Sequence, residues 1–219
     1  MLPYRILTPL LKLFYRLLYY EFAWSYDLVA WFVSAGHWQA WVLALLPYLT
    51  GESLLELGHG PGHLQQALAA QGRNIFGLDR SLYMSRQAQR RLSRAGLVHQ
   101  LSNGYAQMLP YPANAFDQVF ATFPSEYILS PATLAEILRT LKPGGEFTVL
   151  PGAWVTGLSL PERLAATLFR LTGQSLPSEE SLFYPAADLL KQAGFVQVEW
   201  ETILLPGSKV LVVRAYKPI

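Results

Sequence analysis

Three alternate glycines, Gly58, Gly60 and Gly62, directly follow a short apolar segment of the chain. Glycine adopts positive φ without strain, and the absence of a Cβ atom lets a ligand approach the backbone closely. Residues 53–57 have the short apolar pattern of a buried parallel strand, and residues 64–70 have the composition of a helix. The start of such a helix offers free N–H groups and a partial positive charge to a carboxylate. The pattern therefore predicts a loop that binds a nucleotide-type cofactor.

The spacing of the glycines discriminates between kinds of nucleotide loop. A dinucleotide fingerprint, G-x-G-x-x-G, would need a glycine where His63 stands, and the Gly-Lys-Ser/Thr end of a phosphate-binding P-loop is absent. What is left is an acid, Glu56, followed by the alternate glycines. A second apolar strand is predicted over residues 74–78, and Asp79 ends it 17 positions after Gly62. An acid at that place can accept hydrogen bonds from both hydroxyls of a ribose.

The Glu-x-Gly-x-Gly-x-Gly pattern resembles motif I of the class I S-adenosylmethionine (SAM) methyltransferases, and the similarity continues through nearly the whole chain from about Tyr26. Each segment alone could be structural, but four landmarks in the right order favour SAM binding. The further matching segments are Asn103-Gly104-Tyr105-Ala106, Leu109-Pro110-Tyr111-Pro112, Phe116-Asp117-Gln118-Val119 and Leu141-Lys142-Pro143-Gly144-Gly145. The resemblance, closest to the type 11 and quinone methyltransferases, implies an α/β Rossmann-like fold. Its sheet is a mainly parallel one of seven strands that ends in an antiparallel hairpin.

The resemblance also implies which residues hold SAM. Members of the family often have Asp directly after the glycine that corresponds to Gly104, where the acid accepts from the adenine amino group. This chain has Tyr105 at that position. We therefore expect the adenine to rest on backbone N–H groups near Ala106 and on apolar walls. The predicted cofactor-binding residues are Tyr26, Glu56, Gly58, Gly60, Gly62, Asp79, Gly104, Ala106 and Phe123.

The elements that must position these residues alternate between strands and helices, which predicts right-handed crossovers and a mainly parallel sheet. Between the fifth strand and the last helix, residues 151–185 are predicted to form an insertion with a helix over residues 160–171. Ligands of open α/β sheets bind beyond the carboxyl ends of the strands, so the apolar insertion would overhang a hydrophobic acceptor. Strands are predicted at 53–57, 74–78, 97–101, 116–121, 145–150, 196–204 and 209–216, and helices at 64–70, 81–94, 131–141 and 186–193.

Residues 1–50 differ from the SAM-binding domain predicted over 51–219, because they hold 13 of the 29 aromatic residues and only five charged ones. Tyr26-Asp27 and the segment from Ser34 to Trp38 resemble the N-terminal lid helices of quinone-type methyltransferases, so we interpret residues 1–50 as amphipathic and lid helices. Residues 1–20 have the pattern of a basic amphipathic helix, which could lie on an anionic membrane surface or pack against protein. Residues 28–46 lack formal charges, yet polar residues at their centre and tryptophans inside the run argue against a membrane span.

Three residues are candidates for catalysis. Transfer of a methyl group from a sulfonium needs in-line placement of the acceptor more than covalent help, although a general base assists a phenol or an activated carbon. Glu126 and Tyr127 follow the fourth strand, at the edge that the methyl group should face. His37 is the third candidate, although a lone histidine in an apolar helix is more often structural.

Composition excludes several other classes of site. The chain has no cysteine, which rules out disulfides, thiolate metal sites and a cysteine nucleophile, and agrees with a cytoplasmic location. His59 and His63 are separated by Gly-Pro-Gly and not by a helical turn, so no metal is expected. A formal charge of +2 without an RNA-binding motif argues against nucleic acid. Three functions stay open: methylation of a lipid-like acceptor at a membrane surface, methylation of a soluble aromatic metabolite, and a non-catalytic SAM-fold interaction protein.

Overall fold

The computed structural model describes residue 34, residues 36–157 and residues 178–219 of the chain. Within these ranges an α/β arrangement is built on one seven-stranded sheet. The helices are α1 (Trp38–Leu43), α2 (His63–Ala70), α3 (Leu82–Arg94), α4 (Pro131–Thr140) and α5 (Glu179–Ala193), with 3-10 turns at Leu46–Tyr48 and Glu126–Leu129. The strands are β1 (Ser53–Leu57), β2 (Asn74–Asp79), β3 (Gln100–Asn103), β4 (Phe116–Thr122), β5 (Leu141–Val155), β6 (Val196–Leu205) and β7 (Ser208–Tyr216).

The order of the strands confirms the predicted fold class. The sheet runs β3-β2-β1-β4-β5-β7-β6, with β1 parallel to both β2 and β4. Strand β7 is antiparallel to β5 and to β6, as the predicted closing hairpin requires. Strands β2 and β3 lie on one side of β1, and β4 lies on the other, so the strand order reverses at β1. At such a reversal, α/β proteins bind ligands in the crevice at the carboxyl ends of the strands.

The core lies on both faces of the sheet. Strand β1 is buried on each side: Leu54 packs with α1 and α2, whereas Leu55 and Leu57 pack with α4 and α5. All three leucines are inaccessible to solvent. Such continuous burial fits a central parallel strand, and it makes the strand a rigid support for the glycine loop that follows.

Four predicted element boundaries were wrong by three residues or more. Strand β3 starts at Gln100, because the N–H of Leu97 still donates to the Leu92 carbonyl and closes the end of α3. Strand β5 begins at Leu141, which pairs with Phe116 of β4, and continues to Val155 by pairing with β7 beyond an irregularity near Gly152. The last helix begins at Glu179 and includes Pro185.

Helix α5 shows why the proline did not mark its start. Ser178 caps the helix by accepting from the N–H of Ser181, and two acids in the first turn complement the helix dipole. Of the insertion predicted over 151–185, residues 151–155 therefore belong to β5 and residues 179–185 belong to α5. The predicted helix over residues 160–171, Tyr26 and residues 1–20 lie outside the described residues. Among the described residues, no helix has the length and apolar character needed to cross a membrane.

Candidate functional site

A cavity of about 570 Å³ lies at the carboxyl ends of β1, β2 and β4. Its volume falls within the usual range for small-molecule sites. The cavity brings together seven of the residues that the sequence predicted: Gly58, Gly60, Asp79, Gly104, Ala106, Phe123 and Tyr127. Its other lining residues are Leu78, Arg80, Ser81, Met84, Tyr105, Gln107, Thr122, Pro124 and Ser125.

The three glycines of the loop all have positive φ, but they differ in the space that a side chain would find. A Cβ atom on Gly60 would meet no heavy atom within 4 Å, so this glycine leaves space open on the cavity wall. A Cβ on Gly58 would come 2.7 Å from the Tyr127 hydroxyl, and a Cβ on Gly62 would come 2.8 Å from the Cβ of Ala88. Gly62 does not line the cavity; its lack of a side chain lets α2 approach α3.

The Asp79 carboxylate fixes the shape of this loop. One oxygen accepts from the Gly60 N–H at 2.9 Å, and the other accepts from the Ser81 N–H at 2.7 Å. The N–H of Gly58 in turn donates to the Leu78 carbonyl at 2.7 Å. Each carboxylate oxygen has capacity for a further hydrogen bond, so Asp79 can hold the loop and accept from a ribose at once.

Glu56 lies behind the loop and does not line the cavity. Its carboxylate accepts a 2.8 Å hydrogen bond from Nε2 of Gln65, which also donates to the Phe76 carbonyl. Burial raises the pKa of Glu56 to about 8, helped by the negative charge of Asp79 and opposed by the Gln65 hydrogen bond. At neutral pH this acid is therefore mostly protonated, and its evident role is to connect β1 and β2 with α2.

His59, which the sequence did not single out as a ligand of the cofactor, supports the same loop from inside. The ring is buried, and Nδ1 lies 2.8 Å from the Gly60 carbonyl. Burial lowers the pKa of His59, against the opposing effect of Asp79. The neutral ring then carries its proton on Nδ1 and donates it to Gly60, while Nε2 faces the Ser85 hydroxyl at 3.5 Å. Its position between two glycines was the only sequence signal for this role.

Arg80 and Tyr105 form the wall at the end of the cavity where the adenine is expected. The guanidinium carbon of Arg80 lies 5.9 Å from the centre of the Tyr105 ring, within the range of a cation–π contact. Hydrogen bonds to the Asp79 carbonyl, from the Gly104 N–H and from the Asn103 side chain, join the end of β2 to the loop that carries Tyr105. Sequence reasoning identified Tyr105 as a departure from the family pattern but missed Arg80.

An aromatic wall at the end of β4 forms the opposite side. Phe123 has φ +46°, a conformation that costs a residue with a bulky side chain free energy and is concentrated at functional sites. Its N–H donates to the Leu150 carbonyl at 2.7 Å, and its ring stacks on Trp38 with 4.7 Å between ring centres. Trp38, on α1, supports Phe123 from behind the cavity lining. The sequence analysis missed this contact because it spans 85 positions of the chain.

Only one of the three catalytic candidates lines the cavity. Tyr127 does so, and its hydroxyl donates to the Leu57 carbonyl at 3.3 Å. Glu126 is exposed and is not part of the lining, because the 3-10 turn directs it away. His37 also lies off the cavity, where its ring stacks on Trp41 with centres 6.1 Å apart.

These features fit an adenosine-type cofactor. Gly60 leaves space free on the cavity wall, and the Asp79 carboxylate at the end of β2 can accept further hydrogen bonds. Leu78 and Met84 supply apolar lining. Asp79 is the only carboxylate among the described lining residues. Asp79, the backbone around Gly60 and the loop from Gly104 to Ala106 would hold SAM.

Comparisons with known proteins agree with this geometry. A family model described as a methyltransferase domain matches residues 55–149. A demethylmenaquinone methyltransferase of Clavibacter sepedonicus is 31% identical over 90% of this chain and 88% of its own length. A protein of the same name from Symbiobacterium thermophilum is 29% identical over 87% of this chain and 88% of its own length. Among solved structures, phosphoethanolamine N-methyltransferase 2 of Haemonchus contortus with bound S-adenosylhomocysteine superposes with a TM-score of 0.59. It is 19% identical, over 84% of this chain and 53% of that one.

Proposed function

The chain belongs to the class I SAM-dependent methyltransferases, and we propose that it methylates a hydrophobic, quinone-like ring. Bound SAM supplies an electrophilic methyl group on a sulfonium. The choice of acceptor rests on the aromatic wall at the end of β4, where Phe123 faces the cavity and Trp38 stacks behind it. A planar ring can stack against such a wall in the offset or edge-to-face arrangements that aromatic pairs prefer.

The two ends of the cavity differ in chemistry, which supports this assignment. The polar end holds Asp79 and Arg80, whereas the β4 end holds Phe123, Pro124 and Tyr127. The relatives at about 30% identity are named for demethylmenaquinone, a quinone. A soluble aromatic metabolite is the alternative acceptor, since it could use the same wall without an apolar tail.

Positioning accounts for the chemistry better than proton transfer by a carboxylate. When the ring carbon takes the methyl group, the electron pair of the broken bond stays on sulfur as the neutral thioether, and the displaced ring proton passes to water. Asp79, the only acid of the described lining, is already bound by two backbone N–H groups and is not needed to take that proton. Tyr127 donates to Leu57, so lone pairs on its oxygen can accept from an acceptor hydroxyl. Orientation and exclusion of water can together contribute on the order of 7–11 kcal/mol in favourable cases.

Product analysis tests the proposal directly. The full chain is incubated with SAM and a short-chain prenyl naphthohydroquinone or, separately, a soluble catechol, and the products are identified by mass spectrometry. We expect the hydroquinone to gain one methyl group on carbon. The sequence analysis placed Phe123 among the cofactor-binding residues, whereas we assign it to the acceptor wall. Phe123→Leu, which keeps an apolar side chain but loses the ring, should then raise KM for the hydroquinone while the Kd for SAM changes little. Methylation of the catechol alone would favour the soluble acceptor.

A second variant separates positioning from base catalysis. Tyr127→Phe removes the hydroxyl and keeps the ring. If Tyr127 only positions the acceptor, kcat should fall less than the roughly 10²–10⁴-fold that a general base contributes. A larger loss, together with a changed pH profile of kcat, would assign Tyr127 the role of base.

The membrane part of the proposal concerns residues 1–20. Their basic amphipathic pattern supports attachment to the cytoplasmic face of an anionic membrane, at about 1 kcal/mol for each basic residue near the surface. Changing Arg5, Lys12 and Arg16 to Glu should strongly weaken flotation with anionic vesicles and leave SAM affinity intact. If the unchanged chain floats under no condition, residues 1–20 do not anchor it.

A further inference from the structure

Helix α3 carries a row of arginines on its exposed side. Arg86, Arg90 and Arg94 are exposed and spaced by four residues, so they follow one another along a single helix face. The opposite face is buried against the sheet and α2. Residues 80–116 contain five arginines and no Asp or Glu. The chain as a whole has a formal charge of +2, so the +5 of this segment stands against −3 for all other residues.

The ion pairs of the fold do not use this arginine row. Those between described residues join other cations to acids, and none includes Arg86, Arg90 or Arg94. Like charges four residues apart on a helix destabilise it slightly. The row therefore adds nothing evident to the stability of the described fold, which points to a partner outside the chain.

Exposed apolar side chains lie at the start of α3, between Ser81 of the cavity lining and the arginine row, and on the loop after β3. Leu82 and Tyr83, at the start of α3, are 59% and 37% exposed. They follow Ser81, which lines the cavity. On the neighbouring loop, Tyr105 and Met108 are 59% and 77% exposed. The mouth of the cavity is thus bordered by apolar groups on the side nearest the arginines.

Basic side chains next to exposed apolar ones form the pattern of a surface that binds anionic bilayers. The apolar groups enter the interface, while the guanidinium groups lie at the level of the headgroups. A polyanion such as RNA would also attract the arginines, but burying Leu82 and Met108 against phosphates would bring no gain. Bilayer binding uses both sets of side chains.

We propose that Leu82, Tyr83, Tyr105, Met108 and the arginine row form a docking surface for an anionic lipid bilayer, with the cavity mouth next to the membrane. The surface is distinct from residues 1–20. The surface borders the adenine end of the cavity, opposite the aromatic wall, so the docking proposal does not depend on which acceptor is methylated.

Vesicle flotation of the full chain tests the surface. The vesicles are phosphatidylcholine with or without an equal part of phosphatidylglycerol, and residues 1–20 are left unchanged. The triple variant Arg86→Gln, Arg90→Gln, Arg94→Gln should lower partitioning onto the anionic vesicles on the order of a hundredfold, from the attraction of each basic residue to such a leaflet. Added salt should weaken binding of the parent far more than that of the variant.

Matched single variants control for the change in net charge. Arg90→Gln should weaken partitioning about fivefold. Lys191→Gln, which removes an exposed cation from α5, should leave it unchanged. Leu82→Gln should weaken the binding that persists at high salt. Circular dichroism melting checks that every variant is folded.

Two outcomes would overturn the docking surface. One is equal flotation of the triple variant and the parent on anionic vesicles. The other is displacement of the parent from vesicles by polyuridine RNA combined with no effect of Leu82→Gln, which would indicate a nucleic-acid surface. The proposed function is judged separately, because the triple variant should still bind SAM and methylate a detergent-dispersed acceptor. Failure of that methylation in the parent would count against the function and not against the surface.

Discussion

Replacement of Gly60 by alanine should separate binding of the cofactor from stability of the fold. At φ +52°, an L residue costs roughly 1–2 kcal/mol, but the added Cβ meets no heavy atom of the protein within 4 Å. The melting temperature should therefore fall by only about 2–8 °C in a chain of this size. Gly60 and Asp79 line the same cavity, so we expect the added Cβ to hinder a ligand that binds the Asp79 carboxylate. Loss of one hydrogen bond to that carboxylate would cost about 1.5–3 kcal/mol, or roughly a ten- to hundredfold rise in Kd.

Gly72 provides a matched control for this experiment. It has φ +72°, its Cβ would also meet nothing within 4 Å, and it lies in the turn after α2, away from the cavity lining. Gly72→Ala should thus lower the melting temperature about as much as Gly60→Ala and leave SAM affinity unchanged. Isothermal calorimetry gives Kd, and differential scanning calorimetry gives stability. Equal SAM affinity of the two variants would refute the assignment of Gly60 to the cofactor site.

Four further outcomes follow from the geometry of the loop. Gly62→Ala should destabilise the fold by about 2–5 kcal/mol through strain and overpacking against Ala88, and adding Ala88→Gly should recover part of the loss in a thermal melt. Asp79→Asn leaves one acceptor oxygen for two backbone donors, so it should cost about 1–3 kcal/mol of stability and raise the calorimetric Kd for SAM at least tenfold. The pKa of Glu56 is raised from its ordinary 4.5 to about 8, so the native state keeps a proton that the unfolded chain has lost between those values. Its contribution to stability should therefore decline as pH rises through that window, and Glu56→Gln should flatten the decline in pH-dependent melting. Tyr105→Asp should tighten SAM binding or leave it unchanged, since a carboxylate can accept from an adenine amino group; a large loss in calorimetry would mean that the tyrosine ring itself packs on the cofactor.

The fold was predictable because local and tertiary preferences agree over most of the chain. Strand β1 is buried from Leu54 to Leu57, and three of these four residues are leucines. Ser81 caps α3 by accepting from the Met84 N–H, as a serine at the start of a helix does. The hairpin of β6 and β7 turns at Pro206 and Gly207, the only breaker pair between two β-branched runs. The end of β5 was missed because its pairing with β7 decides it, and no local pattern contains that information. The starts of β3 and α5 are instead set by local hydrogen bonds, from the Leu97 N–H to Leu92 and from the Ser181 N–H to Ser178.

The site was predictable as a set of segments but not as a set of side chains. The spacing located the loop after β1, yet Gly60 and Gly62 differ only in what lies opposite them: open space in one case, Ala88 of α3 in the other. Similarly, Glu126 and Tyr127 are neighbours after β4, but the 3-10 turn exposes the first and directs the second to the cavity. Adjacency in sequence carries no information on side-chain direction once the backbone leaves a regular strand.

The two ends of the cavity are held by independent means. Backbone hydrogen bonds to Asp79 fix the polar end, whereas stacking on Trp38 and the Leu150 carbonyl hold Phe123 in its strained conformation at the other. Groups without shared partners contribute nearly additively, so a change at Phe123 should alter the choice of acceptor without weakening the cofactor site. This separation explains how one SAM-binding framework can serve different acceptors. Because Trp38 of α1 stacks on Phe123, the proposal implies that residues before β1 contribute to acceptor choice, even though the glycine loop lies wholly after β1.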